Sequence, residues 1–219
     1  MNSLVCATTN RGKLSELRAM LAGLPLTIIS FEEALKDPVA VVEDGKTFAE
    51  NAVKKARQIA AATMCLTLAD DSGLEVDALG GAPGVRSARY AGERATDAEN
   101  NAALLTALDA VAYPSSHEGA HRARFRCVLA LVDPYSNDGE PRIVEGSCEG
   151  AITRVPRGSG GFGYDPLFLV DGMGKTMAEL SPAEKNRVSH RARACVALEA
   201  MLVEILASRE RAIDVIARP

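Results

Sequence analysis

The chain predicts an α/β fold, in which strands and helices alternate around one sheet. Three observations carry this. The opening reads strand, turn, helix, strand: an apolar run Ser3 to Thr8, a turn at Thr9-Asn10-Arg11-Gly12, a helix from about Lys13 to Ala22, and a second apolar run Leu26 to Ser30. A further strand, Leu66 to Ala69, falls between helices that begin at Thr47 and Asp97. Arg122 to Val132 alternates and then turns continuously apolar, as a strand with one end buried does, and Arg142 to Ile152 reads as its returning partner.

The elements justify themselves in order. In the first helix Leu14, Leu17, Met20 and Leu21 share a face. The second starts on a capping box of Thr47 and Glu50, with Glu50 and Lys54 as an i,i+4 pair and Phe48, Ala52, Val53, Ala56 and Ile59 facing inward. Ala78 to Gly92 is rich in Gly and Ala and reads as a long loop. The helix from Asp97 carries Ala102, Leu104, Leu105 and Leu108. Pro114 to Ala120 is a polar connection; His117 within it and His121 beyond it take no role. Pro134 to Pro141 is a turn, Pro156 to Asp165 a glycine-rich loop, and Leu167 to Val170 a strand. Ser181, Pro182 and Glu184 cap a short helix, and a last helix runs from about Ser189 to Ala207.

Composition bounds the function. The 219 residues suit one large domain or two lobes sharing a core. A formal net charge of −4 argues against long DNA or RNA as a partner, so any phosphate site is local. The five cysteines are odd in number and include no CxxC, which argues against a disulfide framework or zinc site and for buried thiols in a reducing compartment. No apolar run approaches the ~20 residues that cross a bilayer. The opening MNSLVCATTN lacks the pattern of a signal peptide. The expected location is the cytoplasm, with no membrane contact.

Several segments can carry chemistry. Ala7 to Lys13, with Glu16, lies where a strand hands over to a helix N-terminus, a position that attracts anions; the plainer reading is a polar turn capped by Asn10. Asp70-Asp71-Ser72-Gly73 reads as the end of a strand, where ligands bind in open α/β sheets, or simply as a turn. Adjacent aspartates on an extended chain point apart, so separate roles are expected: one can hold Mg²⁺ and one can take a proton from water. In Arg157 to Pro166, glycines allow close backbone approach and Phe162 and Tyr164 are candidates to stack on a base; alternatively this is a surface loop with one aromatic in the core. Lys185, His190 and Arg191 put three donors at a helix start, or form a solvated face.

These motifs together resemble the inosine triphosphate pyrophosphatase family, also called XTP/dITP diphosphatases, over roughly Leu4 to Leu206. The family opens with T-G-N-x-x-K-x-x-E; Thr8, Asn10, Lys13 and Glu16 match it, and Thr9 replaces the glycine. Ala69 to Leu74, Gly80 to Gly84, Ser87 to Tyr90, Gly161 to Pro166 and Ser189 to Arg191 follow in the family's order.

The resemblance implies an elongated two-lobed fold around a long mixed sheet with flanking helices and a central substrate cleft. It implies one such domain over residues 1–207, a C-terminal tail over 208–219, and a homodimer. By position, Thr8, Thr9, Asn10, Arg11, Gly12 and Lys13 would hold the triphosphate of a nucleotide. Asp71 would be the general base and, with Glu43, an Mg²⁺ ligand, and Ser72 would touch substrate. Phe162, Gly163, Tyr164, Asp165, Lys185, His190 and Arg191 would bind base and sugar, with His190 and Arg191 donating to a purine 6-oxygen. The implied reaction converts ITP, dITP or XTP to the monophosphate and pyrophosphate. A nucleotide-binding protein with little turnover is the alternative, since Thr9 is strained if its position needs positive φ.

Overall fold

The computed structural model describes residues 3–37, 39, 41–111, 121–135 and 139–216, with side chains described to Arg211. Six strands form one mixed sheet in the order β2-β1-β3-β4-β5-β6. They are β1 (Ser3–Cys6), β2 (Thr27–Ser30), β3 (Leu66–Val76), β4 (His121–Val132), β5 (Arg142–Ile152) and β6 (Phe168–Val170). β1 runs parallel to β2 and β3, and the rest of the sheet is antiparallel. Six helices flank it: α1 (Arg11–Met20), α2 (Phe31–Ala34), α3 (Phe48–Thr63), α4 (Asp97–Asp109), α5 (Pro182–Val188) and α6 (His190–Ile216).

Side-chain alternation along the long strands divides the core. At one end of the sheet Leu66, Leu68, Cys127, Leu129 and Leu131 face α1 and α6, while Ala69, Val128, Ala130 and Val132 face α2 and α3. At the other end Leu74, Val76, Ala123 and Phe125 join Leu104 and Leu108 of α4 and Phe168 of β6 in a separate cluster. β3, β4 and β5 therefore span two lobes.

Several local readings change. α1 begins at Arg11, two positions before the expected start, because the Asn10 side chain caps the amide of Lys13. Asp70 to Gly73 is neither a strand end nor a turn: β3 continues through it to Val76, paired with β4. The expectation retains one physical truth, because β3's other neighbour, β1, pairs only as far as Leu68. The Thr47 and Glu50 box is half formed; Thr47 accepts from the Glu50 amide, but the Glu50 carboxylate accepts from Lys46 N. Lys54 pairs with Asp44 instead of Glu50. The Ser181 and Glu184 box forms in full, with Pro182 in the first turn. α6 passes Ala207 and runs to Ile216, with Arg209 bonded to Asp133, so the expected tail starts inside a helix. The Pro114 to Ala120 connection, with His117, lies outside the described residues; His121 is buried at the start of β4. Of the cysteines, Cys65 is half-buried and the other four are buried, all free.

Candidate active site

The site forms where β1 stops and β3 continues. Successive side chains of β3 project to opposite faces, and Asp70 and Asp71 serve two separate networks. Gly73 is required here, since a Cβ would lie 2.4 Å from Ser87 Oγ and 2.6 Å from the Gly84 carbonyl oxygen.

On the α1 and α6 face, Asp70 is fully buried and binds Lys13 Nζ at 2.7 Å and Arg191 Nε at 2.7 Å. Burial works against its charge, yet Arg191 and Lys13 hold its pKa well below the ordinary carboxylate range. Ser72 Oγ donates to Asp70 and accepts from Arg191. Arg191 also binds Glu16, Glu16 binds Lys185 Nζ at 2.8 Å, and Lys185 binds Asp165 at 2.6 Å. Asp165 in turn accepts from the Phe162 amide at 3.0 Å. One chain of charge thus ties β3, α1, α5 and α6 to the Phe162 loop.

On the α3 face, Lys55 Nζ bridges Asp71 at 2.9 Å and Glu43 at 2.7 Å, and also donates to the Asp70 carbonyl. Asn51 Nδ2 reaches the second Asp71 oxygen at 3.2 Å. Burial raises the Asp71 pKa, Lys55 opposes this and the Glu43 charge adds to it. Burial also weighs against Glu43, but Lys55 leaves its pKa lowered. Arg89 donates to the Glu43 carbonyl and so fixes that segment.

Two open compartments meet at Asn10, Lys13, Ser72 and Ala88. One, of about 320 Å³, is walled by Thr8, Thr9, Glu43, Lys55, Asp70 and Asp71 among others. The other, of about 100 Å³, is walled by Asp97, Phe162, Gly163, Asp165, Lys185 and His190 among others. The first joins oxygen acidity to cations and to an α1 N-terminus with no acidic residue in its first turn. The second has the aromatic and polar walls of a base pocket.

The expected residues divide accordingly. Thr8, Thr9, Asn10, Lys13, Glu43, Asp71, Ser72, Phe162, Gly163, Asp165, Lys185 and His190 converge on the compartments. Arg11 is exposed and lies in neither wall. Gly12 serves Phe162: a Cβ there would meet its ring at 2.6 Å. Tyr164 borders the base compartment but is not an exposed stacking platform, because its ring is buried in the core and its hydroxyl donates to the Ser87 carbonyl. Arg191 is wholly buried, with Nε, Nη1 and Nη2 bonded to Asp70, Glu16 and Ser72, and its guanidinium carbon lies 5.9 Å from the Phe162 ring centroid. The Lys185 ammonium is likewise spent on Glu16 and Asp165, 4.8 Å from the Phe162 ring centroid. His190 is buried against Phe125 with ring centroids 4.8 Å apart, and burial together with Arg191 keeps it neutral. Thr9 carries no strain: among the described residues Met64 alone of the non-glycines has positive φ.

Lys55 and Asn51 were missed, although a signal existed. Phe48, Ala52, Lys55 and Ile59 form one helical stripe, so a lysine sits on the buried face and demands a buried counter-charge.

The fold and the two compartments define an α/β protein with a cleft suited to a nucleotide. The chain belongs to the Ham1 family, whose model matches residues 4–201. It is 52% identical over 199 residues to a dITP/XTP pyrophosphatase of Geobacter sulfurreducens, covering 91% of this chain and 96% of that one. A protein of the same description from Geobacillus kaustophilus is 47% identical over 212 residues, 96% and 99% of the two chains. Among solved structures, a HAM1 protein from Coxiella burnetii superposes with TM-score 0.81 and 45% identity, covering 93% of this chain and all of that one. A nucleoside-triphosphatase / dITP/XTP pyrophosphatase from Mycobacterium abscessus gives TM-score 0.70 and 41% identity over 90% and 98%.

Proposed function

We propose that the protein hydrolyses ITP, dITP and XTP to the monophosphate and pyrophosphate, and so clears non-standard purines from the nucleotide pool. The observation that carries this is the pair of joined compartments, with Asp71 and Lys13 in the first and Phe162 and His190 in the second. About 50% identity to pyrophosphatases of that description over most of the chain supports it.

The phosphates lie in the larger compartment, where Lys13 and the α1 amides face them. Asp71, beside Lys13 in the wall of that compartment, takes a proton from the water that attacks the α-phosphorus. Glu43 and Asp71 fit Mg²⁺, because both are hard oxygen donors in the wall of the larger compartment and the ion is usually held by one or two carboxylates plus phosphate oxygens. Bound there, Mg²⁺ supplies charge neutralisation for the phosphate oxygens. No larger His, Cys, Asp or Glu group suited to a metal occurs among the described residues.

In the smaller compartment Phe162 stacks on the purine and the neutral His190 offers a ring N–H to the 6-oxygen, which adenine lacks. Arg191 and Lys185 act through Asp70 and Asp165, as positioning residues. A binding protein without turnover has no structural support at Thr9, which is unstrained. Among the described residues no helix is long and apolar enough to cross a membrane. A cytoplasmic homodimer of a single domain that includes the whole of α6 is the setting we propose.

The test is product analysis with ITP, XTP, dITP, ATP and GTP in Mg²⁺, by anion exchange. The expected products are monophosphate and pyrophosphate from the first three, abolished by EDTA and restored by Mg²⁺. Orthophosphate and diphosphate as first products overturn the reading.

A further inference from the structure

We propose that Asp97 and Asn101, in the first turns of α4, are positioning residues that hold the Phe162 loop at the spacing a purine requires. The proposal rests on the base-compartment reading above.

Both polar groups of the Gly163 backbone are held by one helix face. The Gly163 amide donates to Asp97 Oδ2 at 2.6 Å, and Asn101 Nδ2 donates to the Gly163 carbonyl at 3.0 Å. Asp97 and Asn101 are four residues apart, and the same stripe continues through Leu104 and Leu108 into the core. The helix is therefore anchored by apolar packing at one end and grips the loop with polar groups at the other. Gly163 has φ +61°, a conformation that favours glycine, so its backbone groups are open to the α4 side chains.

A second part of the compartment's lining is held by the same turn. Asn100 is buried, accepts from the Ala91 amide and donates to the Ala88 carbonyl, and Ala88 borders both compartments. The first turns of α4 thus hold both the Phe162 loop and the Ala88 segment.

Helix capping does not account for either residue. Thr96 and Glu99 already form the complete capping box, so the Asp97 carboxylate is not needed as a cap. Asn101 leaves its side-chain oxygen buried without a partner, a cost that an apolar residue on this stripe avoids. Its position is explained by the bond to Gly163.

The test uses Asp97→Ala, Asp97→Asn, Asn101→Leu and Phe162→Ala, with ITP kinetics, inhibition by inorganic tripolyphosphate, and melting temperature. Tripolyphosphate probes the phosphate compartment alone. Asp97→Ala and Asn101→Leu should each raise KM for ITP roughly five- to ten-fold, what one charge-assisted or clamping hydrogen bond sustains. Turnover should stay within about two-fold and tripolyphosphate inhibition should be unchanged. Asp97→Asn, which keeps an acceptor oxygen, should recover most of the affinity. Asn101→Leu should melt at or above the parent temperature. Combining Asp97→Ala with Phe162→Ala should add little beyond Phe162→Ala, since both act through one loop. Unchanged KM in Asp97→Ala and Asn101→Leu, where Phe162→Ala does raise it, overturns the clamp. Equal losses for ITP and tripolyphosphate overturn it as well. If Phe162→Ala leaves KM unchanged, the base-compartment reading itself fails.

Discussion

Arg191→Ala should act first on stability. Arg191 and Asp70 are both wholly buried, and they meet at 2.7 Å. The network holds three cations, Lys13, Lys185 and Arg191, against three anions, Glu16, Asp70 and Asp165. Removing Arg191 strands a negative charge that burial already penalises and leaves Lys13 as the one cation paired with Asp70 among the described residues. Breaking a buried pair from one side costs about 3–5 kcal/mol. At roughly 2–4 °C per kcal/mol for a chain of this size, melting should fall by about 6–20 °C. Scanning calorimetry or fluorimetry reads the shift, and urea unfolding with an unchanged slope verifies that it is a stability change. Arg191→Met with Asp70→Asn should recover much of the loss, because the buried Asp70 charge is gone and two cations, Lys13 and Lys185, again balance two anions, Glu16 and Asp165. A single variant that melts within about 1 °C of the parent refutes the reasoning.

Asp71→Asn keeps shape and an acceptor for Lys55, so it should fold normally while turnover on ITP falls at least ~10²-fold; near-normal pyrophosphate release removes Asp71 from the base role. Lys55→Met leaves Asp71 and Glu43 facing each other, which should destabilise the protein by about 3 kcal/mol, and Mg²⁺ should raise its melting temperature more than the parent's; an equal response shows that the carboxylates do not share a cation site. His190 is held well below its ordinary pKa, so the unfolded chain takes up the proton first: stability is full above about pH 7 and falls as pH drops through the unfolded value near 6.5. His121, also lowered by burial, adds to that slope, and His190→Phe should flatten it between about pH 7 and 5; an identical slope in urea titrations contradicts a buried neutral imidazole.

The sequence by itself determined what depends on near neighbours and on pattern. Helix starts at Asp97 and Pro182, the strand pair Arg122–Val132 with Arg142–Ile152, and the Asn10 cap follow from periodicity and from side chains bonding within a turn of themselves. Family membership was legible in the spacing of Asn10, Lys13, Asp70, Asp71, Phe162 and His190. Tertiary structure decided what depends on partners far along the chain. Asp70 and Asp71 disfavour a strand by propensity, yet β3 runs through them because β4 supplies a continuous ladder and because buried cations from α1, α3 and α6 meet their charges. Only that packing bonded Arg191 to Asp70 and sank Tyr164 into the core. It also placed Lys55 between two carboxylates, one twelve and the other sixteen residues away in sequence. A charge pattern states which groups need partners; the fold chooses among the partners, because burial makes each unpaired charge too costly to leave.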